Sequence, residues 1–171
     1  MQNIFLTDRA QGLRPDVVIC VINRERKILL GLKGEYNVWE IPQGGIQEEE
    51  TDFKAAILRE AKEELGKRFS ESLIVPSKPL VTTDKILFPQ ESLGSKTLKL
   101  GDKEIPMLGK KYYFCLVIQK EPIDPEKIEY SDFKWVSFSE GVKIAEKIEQ
   151  RGKKRIIIRI LELLKKNDFI N

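Results

Sequence analysis

Residues 59–64 read Arg-Glu-Ala-Lys-Glu-Glu, three carboxylates in six positions. At about 100° per residue, a helix carries Glu60, Glu63 and Glu64 within roughly a 100° arc of one face. Like charges that close repel one another unless a cation gathers them. The cation suited to such a site is hard and oxygen-loving, which points to Mg²⁺, with Mn²⁺ as a substitute. The chain contains no histidine, so Ser-His and Cys-His catalysis and histidine-ligated zinc are excluded. Arg59 stands one helical turn before Glu63 and can pair with it. Ahead of this segment, Gln43-Gly44-Gly45 reads as a loop whose backbone N–H groups a phosphate could approach closely. The competing reading is a solvated acidic face offset by Lys62 and Arg59.

These groups need a helix and a sheet to position them. Phe53, Ile57, Ala61 and Leu65 recur every four residues, predicting a helix over 52–65 with Thr51 as N-cap and Gly66 just past its end. The β-branched run Val17 to Asn23 predicts a buried strand with Ile28 to Leu32 as its hairpin partner. Trp39 to Pro42 reads as a short extended piece, because the residue before a proline avoids the helical region. Tyr112 to Ile118 and Phe133 to Phe138 are further strands, and residues 139–148 and 153–166 are helical. The segment 76–110 reads as a long hairpin or a substrate-facing loop. Helices interrupting this strand-rich order predict a mixed sheet covered on both faces.

The composition suits one soluble domain over residues 1–171: 41% hydrophobic, 33% charged and a net charge of +3. With no global basic field, a polyanionic substrate must be held locally. The N-terminus lacks an apolar run fit for a signal peptide, and no window approaches a membrane span. Cys20 and Cys115 lie inside apolar strands and read as buried free thiols, so the expected compartment is the cytoplasm.

WEIPQGGI followed by REAKEELG resembles the box of the Nudix hydrolases: glycine, five residues, glutamate, seven residues, then Arg-Glu-x-x-Glu-Glu-x-Gly. Gly44 begins the pattern and Arg59, Glu60, Glu63, Glu64 and Gly66 complete it. Glu50 stands at the forward count from Gly44, but eight residues then precede Arg59; the backward count reaches Thr51. The bracing glutamate is therefore open between Glu50 and Thr51. The resemblance implies an α/β/α sandwich with a mixed sheet flanked by helices. It also implies a metal set of Glu60, Glu63 and Glu64 with Gly44, and catalysis by Glu64 and Glu63 with Arg59.

GLRPDVVICVIN and EYSDFKWVSF extend the similarity to bacterial RNA pyrophosphohydrolases, relatives of the dinucleoside polyphosphate hydrolases, with residues 67–110 poorly matched. That resemblance adds Glu129 as a metal ligand or base, and Arg14 as an RNA contact. Gly45, Lys110, Lys111 and Tyr112 join as substrate-binding groups, with Tyr112 or Tyr113 offering a ring to a base. Trp39 and Trp135 are expected to pack, and Lys153-Lys154-Arg155 to solvate a helix start. The implied reaction is Mg²⁺-dependent removal of pyrophosphate from a 5′-triphosphorylated RNA. Diadenosine tetraphosphate hydrolysis, sanitising of nucleoside triphosphates and a non-catalytic nucleotide-binding module are the alternatives. The partner expected is a nucleotide or an RNA 5′ end; neither a protein partner nor a membrane is implied.

Overall fold

A computed structural model describes residues 3–171. A short helix α1 (Ile4–Ala10) precedes the central strand β1 (Leu13–Ile22). Three strands follow: β2 (Ile28–Lys33), β3 (Val38–Glu40) and β4 (Gln43–Gly45). Helices α2 (Phe53–Leu65) and α3 (Lys67–Glu71) lead to β5 (Leu73–Ile74), β6 (Leu80–Leu87), β7 (Thr97–Leu100), β8 (Lys103–Pro106) and β9 (Gly109–Gln119). Strand β10 (Asp132–Val136) and helices α4 (Phe138–Glu146) and α5 (Arg151–Lys166) close the chain.

The main sheet runs β10-β2-β1-β9-β5, with β3 paired to β2, β4 to β1 and β6 to β9. Among the described residues only β1 and β9 run parallel, from Leu13 beside Gly109 to Ile22 beside Ile118. The sheet is mixed, as expected. Strand β1 is buried along nearly its whole length, because helices cover both faces and leave no wet side for alternation.

Alternate residues nevertheless divide between two cores. Val17, Ile19, Val21, Tyr113, Cys115 and Val117 pack with Ile57, Ala61, Leu65 and Phe69 on the α2 side. Val18, Cys20, Tyr112 and Phe114 pack with Ile156, Ile160, Leu161 and Leu164 on the α5 side. Full burial of Ile57 and Leu65 contributes about 1.5–3 kcal/mol each. A like-charge glutamate pair on the same helix costs only about 0.2–0.5 kcal/mol. Packing therefore fixes α2 despite its acidic face.

Some expectations need correcting. Asp52, not Thr51, caps α2: its carboxylate accepts from the Ala55 amide at 2.9 Å, and the carboxylate needs a residue already in extended backbone. Gly66 ends the helix as expected, with a φ of 96° that favours glycine. Gln43–Gly45 is a strand paired to β1, not a loop. The 76–110 segment is a hairpin: β6 pairs with β9 over most of its length, and the smaller β7–β8 hairpin is set into the connection. Helix α1 is too short for periodicity to signal it.

Candidate active site

Arg59 is the hub of the box. Its guanidinium donates to both oxygens of Glu50 (3.0 and 2.9 Å), to the Gly45 carbonyl (2.7 Å), to Glu60 (2.8 Å) and to Glu63 (3.2 Å). Burial works against this cation, but the bonds from Glu50 and Glu60 outweigh it and raise its pKa. Glu50 also accepts from the Gln47 amide at 2.8 Å, and it is buried while Thr51 is exposed. The forward count thus reaches the residue that holds Arg59, and the backward count does not. Glu50 braces Arg59, and the additional residue lies in the turn between Glu50 and α2.

The two glycines of β4 face opposite sides of the sheet, as successive strand residues must. A Cβ on Gly44 would lie 2.0 Å from Cδ of Glu60, whereas one on Gly45 would meet Nε of Arg14 at an ordinary 3.5 Å. Gly44 is thus a cradle for a carboxylate on α2. Burial raises the Glu60 pKa against the lowering pull of Arg59, and the charge of Glu63 adds to the rise. Burial and the charge of Glu60 push the Glu64 carboxyl up to about 8. Glu63 is the most exposed of the three, its side chain 57% accessible.

Glu129 stands on the loop before β10, and its carboxylate accepts from Nζ of Lys33 at 2.6 Å. The following residue, Tyr130, is fully buried and its hydroxyl donates to Glu40 at 3.0 Å. The Gln43 amide donates to the other Glu40 oxygen at 3.2 Å. The charges of Glu129 and Glu40 both raise the pKa of Glu64, so the structure brings Glu129 and Glu40 to the glutamates of α2.

Among the described residues, no three carboxylates close into a cage. Glu60 and Glu63 turn to Arg59 instead, and Glu129 turns to Lys33. The donor set still fits a hard divalent cation: it is all oxygen, acids outnumber bases, and Glu64 is held towards its neutral form by burial and then by negative charge that a cation would relieve.

On the opposite side of β1, Arg14 forms a two-point bond with buried Asp16 (2.7 and 2.8 Å), and Lys110 approaches the same carboxylate at 3.9 Å. Burial lowers the Lys110 pKa; Asp16 opposes that, and Arg14, Lys96 and Lys153 reinforce it. On the same face lies a cleft of ≈ 40 Å³ between the sheet and α5, walled by Trp39, Ile86, Tyr112, Phe114 and Ile156, with Lys153 at its side. Tyr112, not Tyr113, faces this cleft; the Tyr113 hydroxyl instead donates to buried Asp8.

Lys111 parts from Lys110 for the same alternating reason and lies over the Tyr113 ring at 5.8 Å. The expected lysine pair is therefore split. Trp135 packs near Phe69 and Trp39 against the α5-side core, both as expected, and Trp39 also walls the cleft. Of the basic cluster at the start of α5, Lys153 lines the cleft and Arg155 binds Asp84 at 2.9 Å, so neither merely solvates the helix.

Sequence reasoning missed Asp16, Lys33 and Glu40. Asp16 and Glu40 sit inside the quoted motifs and could have been read as their neighbours' partners. Lys33 meets Glu129 across 96 positions, and nothing local announces that.

Residues 12–159 match the NUDIX domain profile. The chain is 31% identical over 132 residues to an RNA pyrophosphohydrolase of Actinobacillus succinogenes, covering 74% of this chain and 63% of that protein. It is 30% identical over 142 residues to the Legionella pneumophila RNA pyrophosphohydrolase, covering 80% and 75%. A stronger local match, 44% over 57 residues, to the Hydrogenovibrio crunogenus enzyme of that name spans 33% of this chain and 34% of that one. For the Hydrogenovibrio and Actinobacillus relatives the match thus spans less than two thirds of their length. In fold, the chain is similar to the E. coli dihydroneopterin triphosphate pyrophosphohydrolase (TM-score 0.58, 12% identity, covering 87% and 97%). It is also similar to a C. elegans Ap4A hydrolase (TM-score 0.55, 19% identity, covering 88% and 98%). With its box braced through Arg59 and its sandwich shared with these enzymes, the chain belongs to the Nudix hydrolase family, whose members act on pyrophosphate bonds.

Proposed function

We propose that this Nudix hydrolase removes pyrophosphate from the 5′ end of triphosphorylated RNA in the cytoplasm. The observation that carries the reading is the pairing of acid and base across β4: carboxylates gather beyond Gly44 and cations beyond Gly45. A chain of phosphates passing over the edge of that strand would meet a metal-type site and a cationic site within two residues. The RNA pyrophosphohydrolases of Actinobacillus and Legionella support the choice of substrate.

Glu60, Glu63, Glu64 and Glu129, with the backbone at Gly44, would hold Mg²⁺, or Mn²⁺ in its place. When bound, the ion supplies charge neutralisation on the phosphate oxygens and makes water a better nucleophile. Arg59 fixes Glu60 and Glu63 and holds the Gly45 carbonyl. Glu64 accepts the proton of the attacking water at its carboxylate. Arg14 and Lys110 bind phosphate oxygens, their heads held in place by Asp16. Tyr112, at the adjoining cleft, offers its ring to the base, and a monophosphorylated RNA and pyrophosphate leave.

The same cations would also accept diadenosine tetraphosphate, since they recognise phosphates rather than a strand. Measuring kcat/KM with Mg²⁺ for triphosphorylated RNA, diadenosine tetraphosphate and 8-oxo-dGTP separates the readings. RNA is expected to be the best substrate. A preference for the dinucleotide replaces the proposal, and binding without turnover of any of them makes the chain a binding module.

A further inference from the structure

Lys33 is absent from the box and from every motif quoted above, yet it occupies the mouth of the carboxylate site. It is the last residue of β2, with its side chain 25% accessible, and its ammonium lies 2.6 Å from Glu129 and 5.0 Å from the centre of the Tyr130 ring. Its charge is felt by Glu64 and Glu40 as well. The placement is rigid. Tyr130 lies so flat on Gly31 that a Cβ there would come within 2.6 Å of the ring. The Ser131 amide donates to the Leu32 carbonyl at 2.9 Å, and the Tyr130 hydroxyl is tied to Glu40. The end of β2 and the segment 129–131 are therefore clamped together, and Lys33 meets Glu129 because the backbone brings them face to face.

We propose that the Lys33 ammonium is a resident counter-ion of Glu129 which a divalent cation must displace, so that Lys33 sets the cation affinity of the site by direct competition. This rests on the reading of Glu60, Glu64 and Glu129 as metal-holding. The cation that takes Glu129 removes one partner of an ammonium already partly desolvated against Tyr130. In exchange it gathers carboxylates that Lys33, with a single charge, neutralises only in part. The ammonium thus offsets the repulsion among the carboxylates of the empty site, at the expense of weaker metal binding.

The test is Mn²⁺ binding without nucleotide, read from free Mn²⁺ by electron paramagnetic resonance. It uses the full-length wild type, Lys33→Met, Glu129→Gln and the double variant. Lys33→Gln, which keeps length and polarity, repeats the first measurement with less disturbance of packing. Lys33→Met and Lys33→Gln are expected to tighten Mn²⁺ binding by about fivefold, the effect of one partly exposed ion pair. In the Glu129→Gln background the gain should vanish, as a double-mutant cycle demands of a direct contact. Unchanged or weaker binding in both Lys33 variants overturns the proposal. So does an equal gain with and without Glu129, which would mark a long-range charge effect. If the wild type binds no Mn²⁺, the metal-site reading itself fails; if it binds and Lys33 has no influence, only the counter-ion proposal does.

Discussion

Strands β1 and β9 present opposite chemistry to their two sides. Towards α2 the sheet supports carboxylates: Glu60, Glu63 and Glu64 on the helix, with Glu129 from a neighbouring loop and Glu40 at the end of β3. Towards α5 it carries Arg14 and Lys110 over Asp16, next to a cleft with aromatic walls. Residues adjacent in sequence are divided between these sides. Gly44 faces Glu60 while Gly45 faces Arg14, and Tyr112 lines the cleft while Tyr113 joins the α2-side core. The lesson is that a period of two lets a single pair of strands separate reaction from binding by one peptide unit. Substitutions on the two sides should then fail in different ways.

The largest effect is expected at Glu64. Glu64→Gln keeps shape and hydrogen bonding but removes the proton acceptor, and kcat on triphosphorylated RNA should fall by about 10²–10⁴-fold with the circular dichroism unchanged. Near-normal turnover would remove the acidic side from the chemistry. Next come the two glycines, which break the comparison most cleanly. Gly44→Ala forces Glu60 aside and should cost about 100-fold in kcat. Gly45→Ala meets only the flexible Arg14 side chain and should leave kcat within about twofold. Equal losses would mean that the glycines do not divide the sides.

Smaller again is the effect on the basic side. Arg14→Ala or Lys110→Ala should raise KM by about tenfold with little change in kcat, and flatten its salt dependence. Lys111→Ala, on the other side of the strand, should leave both constants unchanged. The smallest effect is one of stability, read by urea unfolding. Glu50→Gln weakens the two-point bond to Arg59 and should cost about 1–3 kcal/mol, whereas Thr51→Val should stay within about 0.5 kcal/mol.

The acidic side was the more legible in the sequence, for a physical reason. Its groups lie on one helix, where spacing alone gives the angle between side chains, so Glu60, Glu63, Glu64 and the Arg59–Glu63 pair could be placed from residues 59–64. Periodicity likewise found α2, α5 and the buried strands. What could not be read was whatever depends on register between distant strands. Whether Tyr112 or Tyr113 faces the cleft, whether Lys110 and Lys111 act together, and that Lys33 reaches Glu129 all follow from strand pairing. The choice between Glu50 and Thr51 needed the position of one guanidinium. The 76–110 hairpin was half visible, since its turn residues masked a strand, β6, that the β9 edge holds in place.

The most direct test of the account is the product of one reaction. RNA carrying a labelled 5′ triphosphate is incubated with the protein and Mg²⁺, with a chelated control alongside. The account expects pyrophosphate and 5′-monophosphorylated RNA in the presence of Mg²⁺, and none after chelation. Intact triphosphate in the presence of Mg²⁺, or cleavage that persists in the chelated control, would contradict it.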